Sequence, residues 1–190
     1  TPIDPDALAA RAQVLLRAKE RVDQLRAQTV IDELTGSYNR RYLDEQLAAR
    51  LGEAPRYNTP FSLGLFDLDH FKQVNDTHGH QVGDVVLRET TRLVRRQLRK
   101  EDVLARYGGE EFAIMLPRTD RSGAVFLAER VRESVADSFF GGNARVRVTV
   151  SMGVASLPFD ETETASQLIG TADGRLYQAK EAGRNQIIFD

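Results

Sequence analysis

The chain has 190 residues, 41% of them hydrophobic, which suits one full domain plus an appendage and excludes a disordered tail as the default. Its 26 basic and 28 acidic residues nearly balance, which argues against a dedicated nucleic-acid or membrane-surface protein, so any anionic ligand must be met by local residues. No cysteine is present, which removes disulfide frameworks and thiolate metal sites and is compatible with a reducing, cytoplasmic setting.

No apolar run approaches the roughly 18 residues of a membrane span, and the N-terminus lacks the apolar core of a signal peptide. The first residue is Thr rather than Met, which leaves open that the chain is a piece of something longer.

Residues 6–29 contain no Gly or Pro and are rich in helix formers, which predicts one helix. Leu8, Leu15, Val22 and Thr29 recur every seven residues, with Ala18 and Leu25 completing an a/d seam that Arg11 weakens. Two readings stand: a dimerising, parallel coiled-coil helix, or a helix packed on its own domain. The segment 32–43, DELTGSYNRRYL, combines a turn with a helix start; that helix is expected to run to Leu51 before a connector, GEAPRYNTP. FSLGLFD, 61–67, is an apolar run ending in acid, hence a buried strand whose last residue emerges at the sheet edge.

A short helix and a Gly-punctuated loop are expected over HFKQVNDTHGHQVGD, then an amphipathic helix over VVLRETTRLVRRQLRK with Val86, Leu87, Leu93, Val94 and Leu98 inward. VLARY and EEFAIML flank Gly108-Gly109, the two-residue signature of a tight hairpin. A helix over 120–139, a long strand VRVTVSMGVAS, a final helix ended by Gly183 and a closing strand NQIIF complete the chain. The plan is α+β: a ferredoxin-like, split β-α-β arrangement with a central mixed sheet of about five strands flanked by helices.

Asp67 closes one buried strand, and Glu110 and Glu111 open another that can lie beside it. Carboxylates brought together repel unless a cation neutralises them, and hard oxygen ligands favour Mg²⁺ or Mn²⁺, which usually binds substrate phosphates as well. Lys72 offers a point charge for phosphates, while Asn75 and Asp84 can hydrogen-bond a base edge. A carboxylate suits the paired N–H donors of guanine, which adenine lacks. Read singly, these acids are also compatible with solvated strand ends, and Asn75 and Asp84 with turn-forming or helix-capping residues beside Gly79 and Gly83. His70, His78 and His80 have no partners that complete a zinc pattern and read as loop or helix-surface residues.

DELTGSYNRR, FDLDHFKQVNDTHGHQVGDVVL, RYGGEEF, SMGVA and YQAKEAGRNQ, in that order, resemble the GGDEF family of diguanylate cyclases over roughly residues 30–190. The resemblance implies a nucleotide-cyclase-like, palm-like fold and condensation of two GTP into cyclic di-GMP with release of pyrophosphate. It implies two Mg²⁺ or Mn²⁺ ions per half-site, held by Asp67, the Leu68 carbonyl, Glu110 and Glu111, with Glu110 also the base for the attacking 3′-hydroxyl and Lys72 stabilising charge on the reacting phosphates. Asn75 and Asp84 become guanine readers and Leu34 and Leu87 the walls of the base pocket. Lys180 and Arg184, expected on one face of the last helix, become triphosphate contacts, and Gly108 and Gly109 allow the backbone to approach the phosphates.

Because each GTP must attack the other, the resemblance implies an antiparallel pair of domains, a homodimer, with an upstream sensory domain outside this chain. RKED, 99–102, fits the family's RxxD inhibitory pattern, so Arg99, Asp102 and Arg130 are expected to bind cyclic di-GMP. Without the resemblance the same residues read as a charged helix end. Two departures occur: Ser37 stands where the family usually has Leu, and position 110 is Glu rather than Asp, which keeps the carboxylate. A catalytically silent module that senses GTP or cyclic di-GMP, and a related cyclase that accepts ATP, are the alternatives.

Overall fold

A computed structural model describes residues 29–57, 59–162 and 164–190. The heptad helix expected over 6–29 lies, except for Thr29, outside the described residues, and Ile31–Asp190 forms one compact unit. The elements are β1 (Tyr38–Asn39), α1 (Arg40–Tyr57), β2 (Phe61–Leu68), α2 (Phe71–His78), α3 (His80–Arg95), β3 (Val103–Arg106), β4 (Glu111–Pro117), α4 (Arg121–Ala136), β5 (Val150–Leu157), α5 (Ala165–Glu181) and β6 (Ile187–Ile188).

The strands form one mixed sheet in the order β1-β3-β4-β2-β5-β6, antiparallel except for the two edge pairs β1/β3 and β5/β6. The five expected strands are present. The sixth, β1, falls in the stretch expected to be turn and helix start, where two residues borrow the free edge of β3 before α1 begins. The strand expected over VRVTVSMGVAS starts only at Val150, because its neighbour β2 ends at Leu68, opposite Val150, and leaves the sheet through Asp69 and His70.

β2 is buried along its whole length, and its pleat divides the core. Phe66 and Leu68 face Phe71, Val86, Leu87 and Val131 on the side of α2, α3 and α4, while Leu63 and Leu65 face Leu43, Leu47, Leu168 and Leu176 on the side of α1 and α5. The rings of Phe66 and Phe112, paired across β2 and β4, stack at 5.2 Å.

Helix ends carry their own chemistry. The Asp120 side chain accepts from the Gly123 amide at 2.8 Å to cap α4, and Thr164 with Gln167 forms a capping box on α5. Gly183, at φ +114°, ends α5 with the Arg184 amide donating back to the Ala179 carbonyl at 3.0 Å. α1 runs on to Tyr57, through residues expected to be connector. α3 starts at His80, five residues before the expected Val85, because Gly79 alone, at φ +81° and ψ 158°, supplies the break after α2.

α5 lies directly against β5. A methyl group at Gly153 would collide with the Ala172 carbonyl and the Leu176 amide, both backbone atoms of the helix. Arg175 then locks the helix in rotation, donating to the Val154 carbonyl at 2.7 Å and pairing with the Asp160 carboxylate at 2.7 Å. Burial opposes ionisation of Asp160, but the Arg175 and Ser156 donors outweigh it and hold the carboxyl below its ordinary range. Gly153→Ala should therefore destabilise the domain by about 3 kcal/mol or more, at the upper end of ordinary overpacking. Urea unfolding checks this, and an unchanged midpoint would show that α5 is not seated on bare backbone.

Candidate active site

The antiparallel register of β2 and β4 sets Asp67 directly opposite Glu111, so the two side chains leave the same face of the sheet, the one covered by α5. From that helix Lys180 reaches down and places its ammonium 3.0 Å from Asp67 Oδ2. Glu110 comes from the bend just before β4, where its carbonyl accepts from the Leu68 amide at 3.3 Å.

Burial is the main influence on Asp67 and pushes its carboxyl up to about 6; Lys180 pulls it down, and the charges of Glu110 and Glu111 push it further up. It is a buried acid in a negative field with one cation for company. The expected convergence of three carboxylates is thus partial. Among the described residues no three acidic or histidine side chains are close enough together to hold a metal as they stand. The Lys180 ammonium supplies the charge that a divalent ion would otherwise bring.

The donor set nonetheless fits a hard divalent cation: oxygen ligands from the two adjacent central strands, net negative, near the end of β2 and the start of β4, with one carboxylate buried enough to resist hydration. Asp67, the Leu68 carbonyl, Glu110 and Glu111 are the residues that can hold one.

The connection between β3 and β4 is wider than a two-residue turn. Residues 107–110 span it, and the amides of Tyr107 and Gly108 both donate to the Glu111 carbonyl, at 2.8 and 3.2 Å. A Cβ on Gly108 would lie 2.7 Å from Glu111 Oε2, so this glycine makes room for a carboxylate, whereas Gly109 faces open space. Arg106 holds the loop, donating from Nε and Nη2 to the Gly109 carbonyl at 3.0 and 2.7 Å while Nη1 pairs with Asp32 at 3.2 Å. Burial works against the Asp32 charge, but donors from Thr35 and Arg106 overcome it and hold that carboxyl below its usual range. The turn Asp32–Gly36 and the Gly-Gly-Glu-Glu loop are therefore one clamped unit.

Asn75 packs on Gly83, the residue before Asp84 on α3. This glycine is buried in the first turns of α3, and a Cβ there would collide with Asn75 Oδ1 and sit 3.2 Å from the Phe71 ring. What reads in sequence as a loop glycine is a helix-packing contact that lets α3 close on α2 and sets Asn75 against the helix carrying Asp84. Leu34 and Leu87 belong to the same apolar cluster as Phe71. Lys72 is exposed one turn before Asn75 on α2. Arg184 is not on a helix face with Lys180: α5 stops at Glu181, and Arg184 follows in a left-handed conformation at φ +65°, exposed.

Asp69 is a residue the sequence did not single out. It is buried and accepts from Thr149 Oγ1 at 2.6 Å, Ser151 Oγ at 2.7 Å and the Asn185 amide at 3.0 Å, tying the exit of β2 to β5 and to the segment after α5. Of the two acids in FDLD, one is left in a negative field and the other is saturated with donors.

Arg99 and Asp102 form a closed turn after α3, with the Arg99 amide donating to Asp102 Oδ2 at 2.7 Å and the Asp102 amide to the Arg99 carbonyl at 3.2 Å. Burial raises the Asp102 carboxyl above its ordinary range against the pull of the Arg99 amide and charge. Its Oδ1 is buried with no hydrogen-bond partner among the described residues, and the turn lines a cavity of about 370 Å³ with Tyr38 and Arg95. Arg130 reaches this region from α4, donating to Gln97 at 2.8 and 3.0 Å.

A mixed sheet flanked by helices, with paired acids on its two central strands, is the palm-like fold of nucleotide cyclases. The chain belongs to the GGDEF domain family: the family model described as "Diguanylate cyclase, GGDEF domain" matches residues 29–186. The response regulator PleD of Caulobacter vibrioides is 40% identical over 197 residues, covering 98% of this chain and 43% of that protein. The probable diguanylate cyclase DgcT of Escherichia coli is 38% identical, covering 83% of this chain and 35% of its own length. The chain thus spans less than half the length of these relatives. Among solved structures, the coiled coil and GGDEF domain of DgcB from Caulobacter crescentus, in complex with c-di-GMP, superposes with a TM-score of 0.80 at 31% identity, over 97% of this chain and 98% of that one. The active GGEEF domain of a diguanylate cyclase from Vibrio cholerae gives 0.75 at 33% identity, over 80% of this chain and 96% of that one.

The Asp67 environment fixes the sign of a pH effect. Its folded carboxyl titrates near 6 and its unfolded one near 3.8, so between those values the folded state binds more protons and stability falls as pH rises. Without divalent cations at pH 7.5, Asp67→Asn should be more stable than the parent by about 1–3 kcal/mol, and the difference should vanish toward pH 4. Urea unfolding at the two pH values measures it; a variant that is no more stable at pH 7.5 would contradict the reading of Asp67 as an acid held against its solvation preference.

Proposed function

We propose that this domain is a diguanylate cyclase, condensing two GTP into cyclic di-GMP and two diphosphates in the cytoplasm. The observation that carries the reading is the buried Asp67, flanked by the charges of Glu110 and Glu111 and paired with Lys180 at 3.0 Å.

Asn75 and Asp84 hydrogen-bond the guanine edge, Asp84 accepting from its N–H donors, while Leu34 and Leu87 wall the base. Lys72, Lys180 and Arg184 meet the phosphates, and the backbone at Gly108 and Gly109 lies close to them. Asp67, the Leu68 carbonyl, Glu110 and Glu111 would hold two Mg²⁺ or Mn²⁺ ions per half-site, which would supply positive charge at the reacting phosphate. Lys180, paired with Asp67 at 3.0 Å, would be free to meet phosphate oxygens once bound cations neutralised that carboxylate.

In the reaction, the 3′-oxygen of one GTP forms a bond to the α-phosphorus of the other, the α–β bridging P–O bond breaks, and diphosphate leaves. The hydroxyl proton passes to Glu110. Each domain holds one GTP, so two domains face each other about a two-fold axis. The heptads of residues 6–29 serve as the coiled coil that pairs them, under control of a sensory domain outside this chain. The Arg99–Asp102 turn, with Arg130 beside it, is read as the product-inhibition site, its cavity and partnerless Asp102 Oδ1 supporting a guanine or phosphate contact there.

Incubation with GTP, with ATP or with both, plus Mg²⁺, followed by mass spectrometry of the products, tests the reading. Cyclic di-GMP from GTP alone is expected, and Asp67→Ala or Glu110→Ala should cut the rate by about a hundredfold or more. Binding without turnover would favour a silent sensor, and a product from ATP would favour a broader dinucleotide cyclase. In the same assay Arg99→Ala should leave initial turnover intact and raise the inhibitory product concentration; unchanged inhibition would remove the feedback assignment.

A further inference from the structure

On the side of α2 opposite Lys72 and Asn75 lies a cleft of about 800 Å³, within the size range of small-molecule sites and lined by none of the residues assigned to GTP. One wall is the face of α2 carrying His70, Gln73, Thr77 and His78; the other is the extended segment before β5, from which Arg145, Arg147 and Thr149 alternate with buried Val146 and Val148. Asn185 closes one end.

Three observations mark this cleft as built to hold something. The first is charge. Arg145 and Arg147 both lie against the ring of Phe139, at 4.3 and 4.7 Å from its centroid, so the two guanidinium groups are within about 9 Å of each other. Gathering like charges costs free energy, and among the described residues neither arginine has an acidic group within ion-pair distance. The second is the fate of the acids. Asp69, at the floor, already accepts from Thr149, Ser151 and Asn185, and Asp137, at the rim, forms no ion pair with the arginines.

The third is backbone geometry. Among the described residues six non-glycine residues have positive φ, and three of them, His70 at +57°, Arg145 at +51° and Asn185 at +45°, line this one cleft. Each such conformation costs free energy unless its surroundings hold it, and such residues gather at sites.

We propose that this cleft is an anion site, distinct from the GTP site, that takes a phosphate-bearing small molecule. The forked guanidinium groups of Arg145 and Arg147 match phosphate oxygens, and the ring N–H groups of His70 and His78 with the hydroxyls of Thr77 and Thr149 complete a set of donors. The concave form, enclosed between a helix and a strand-like segment, suits a soluble anion rather than a membrane face or a nucleic-acid backbone. Because the Asn185 amide binds Asp69, the occupied cleft is one residue from Arg184 and shares α2 with Lys72 and Asn75.

Isothermal titration with inorganic pyrophosphate, in EDTA so that no divalent ion is present, tests the site. The parent protein and Lys72→Ala/Lys180→Ala should both show one saturable site of similar affinity. Arg145→Asn/Arg147→Gln should weaken it about tenfold or more, asparagine being chosen because it tolerates the left-handed backbone. Arg147→Gln alone, which leaves that backbone untouched, should weaken it severalfold and decides the matter if the double variant fails to fold. Undiminished binding in Arg147→Gln or in the double variant, loss of binding in Lys72→Ala/Lys180→Ala with the arginine variants unaffected, or no saturable binding by the parent would each overturn the proposal.

Discussion

A carboxylate held out of water against its preference is the constraint around which the rest of this domain is arranged. Asp67 closes the most deeply buried strand, and the register of β2 with β4 brings Glu111 opposite it and Glu110 to the bend beside it. Burial makes ionisation of Asp67 harder, the charges of Glu110 and Glu111 add to that, and Lys180 works against them. Stability alone would favour an apolar residue at the end of such a strand, since an ion pair in a poorly solvated place gains little over a hydrophobic substitute. The proposed binding of cations and nucleotide gives that charge a use.

Much of the surrounding architecture holds this arrangement in place. Gly153 and Arg175 set the height and rotation of α5 and thereby the reach of Lys180. Asp69 fastens the exit of β2, and Arg106 bolts the Gly-Gly-Glu-Glu loop to the Asp32–Gly36 turn that precedes the first strand. That turn directly follows the segment expected to pair two domains. On the far side of the sheet, Gly83 lets α2 and α3 close until Asn75 packs on the helix that carries Asp84.

The strands and helices were legible because apolar periodicity and terminal residues agree: FSLGLFD is continuous and buried, EEFAIML opens polar and ends apolar, and Gly183 stops the last helix with the expected motif. The candidate acids, Asn75, Asp84 and Lys180 were legible as chemistry at motif positions. What could not be read was what depends on three dimensions. Gly83 resembles a loop glycine until α2 is packed on α3, and Gly108-Gly109 suggests a two-residue turn until Arg106 is seen to support a wider one. Asp69 and Asp67 are the same residue type two apart, and only the donors reaching them separate an anchor from a site. β1 exists because β3 offers a free edge, not because Tyr38 and Asn39 form a strand on their own. Arg184 and Lys180 share helical spacing, but the helix ends between them.

The account turns on Asp67 and its neighbours exchanging the lysine for divalent cations when a nucleotide binds. A crystal structure with a non-hydrolysable GTP analogue and Mn²⁺, with anomalous scattering used to locate the ions, examines this directly. Manganese bridging the Asp67 and Glu110 carboxylates to the triphosphate, with Lys180 moved onto phosphate oxygens, is the predicted result. A bound nucleotide with the Asp67–Lys180 pair intact and manganese elsewhere would contradict it.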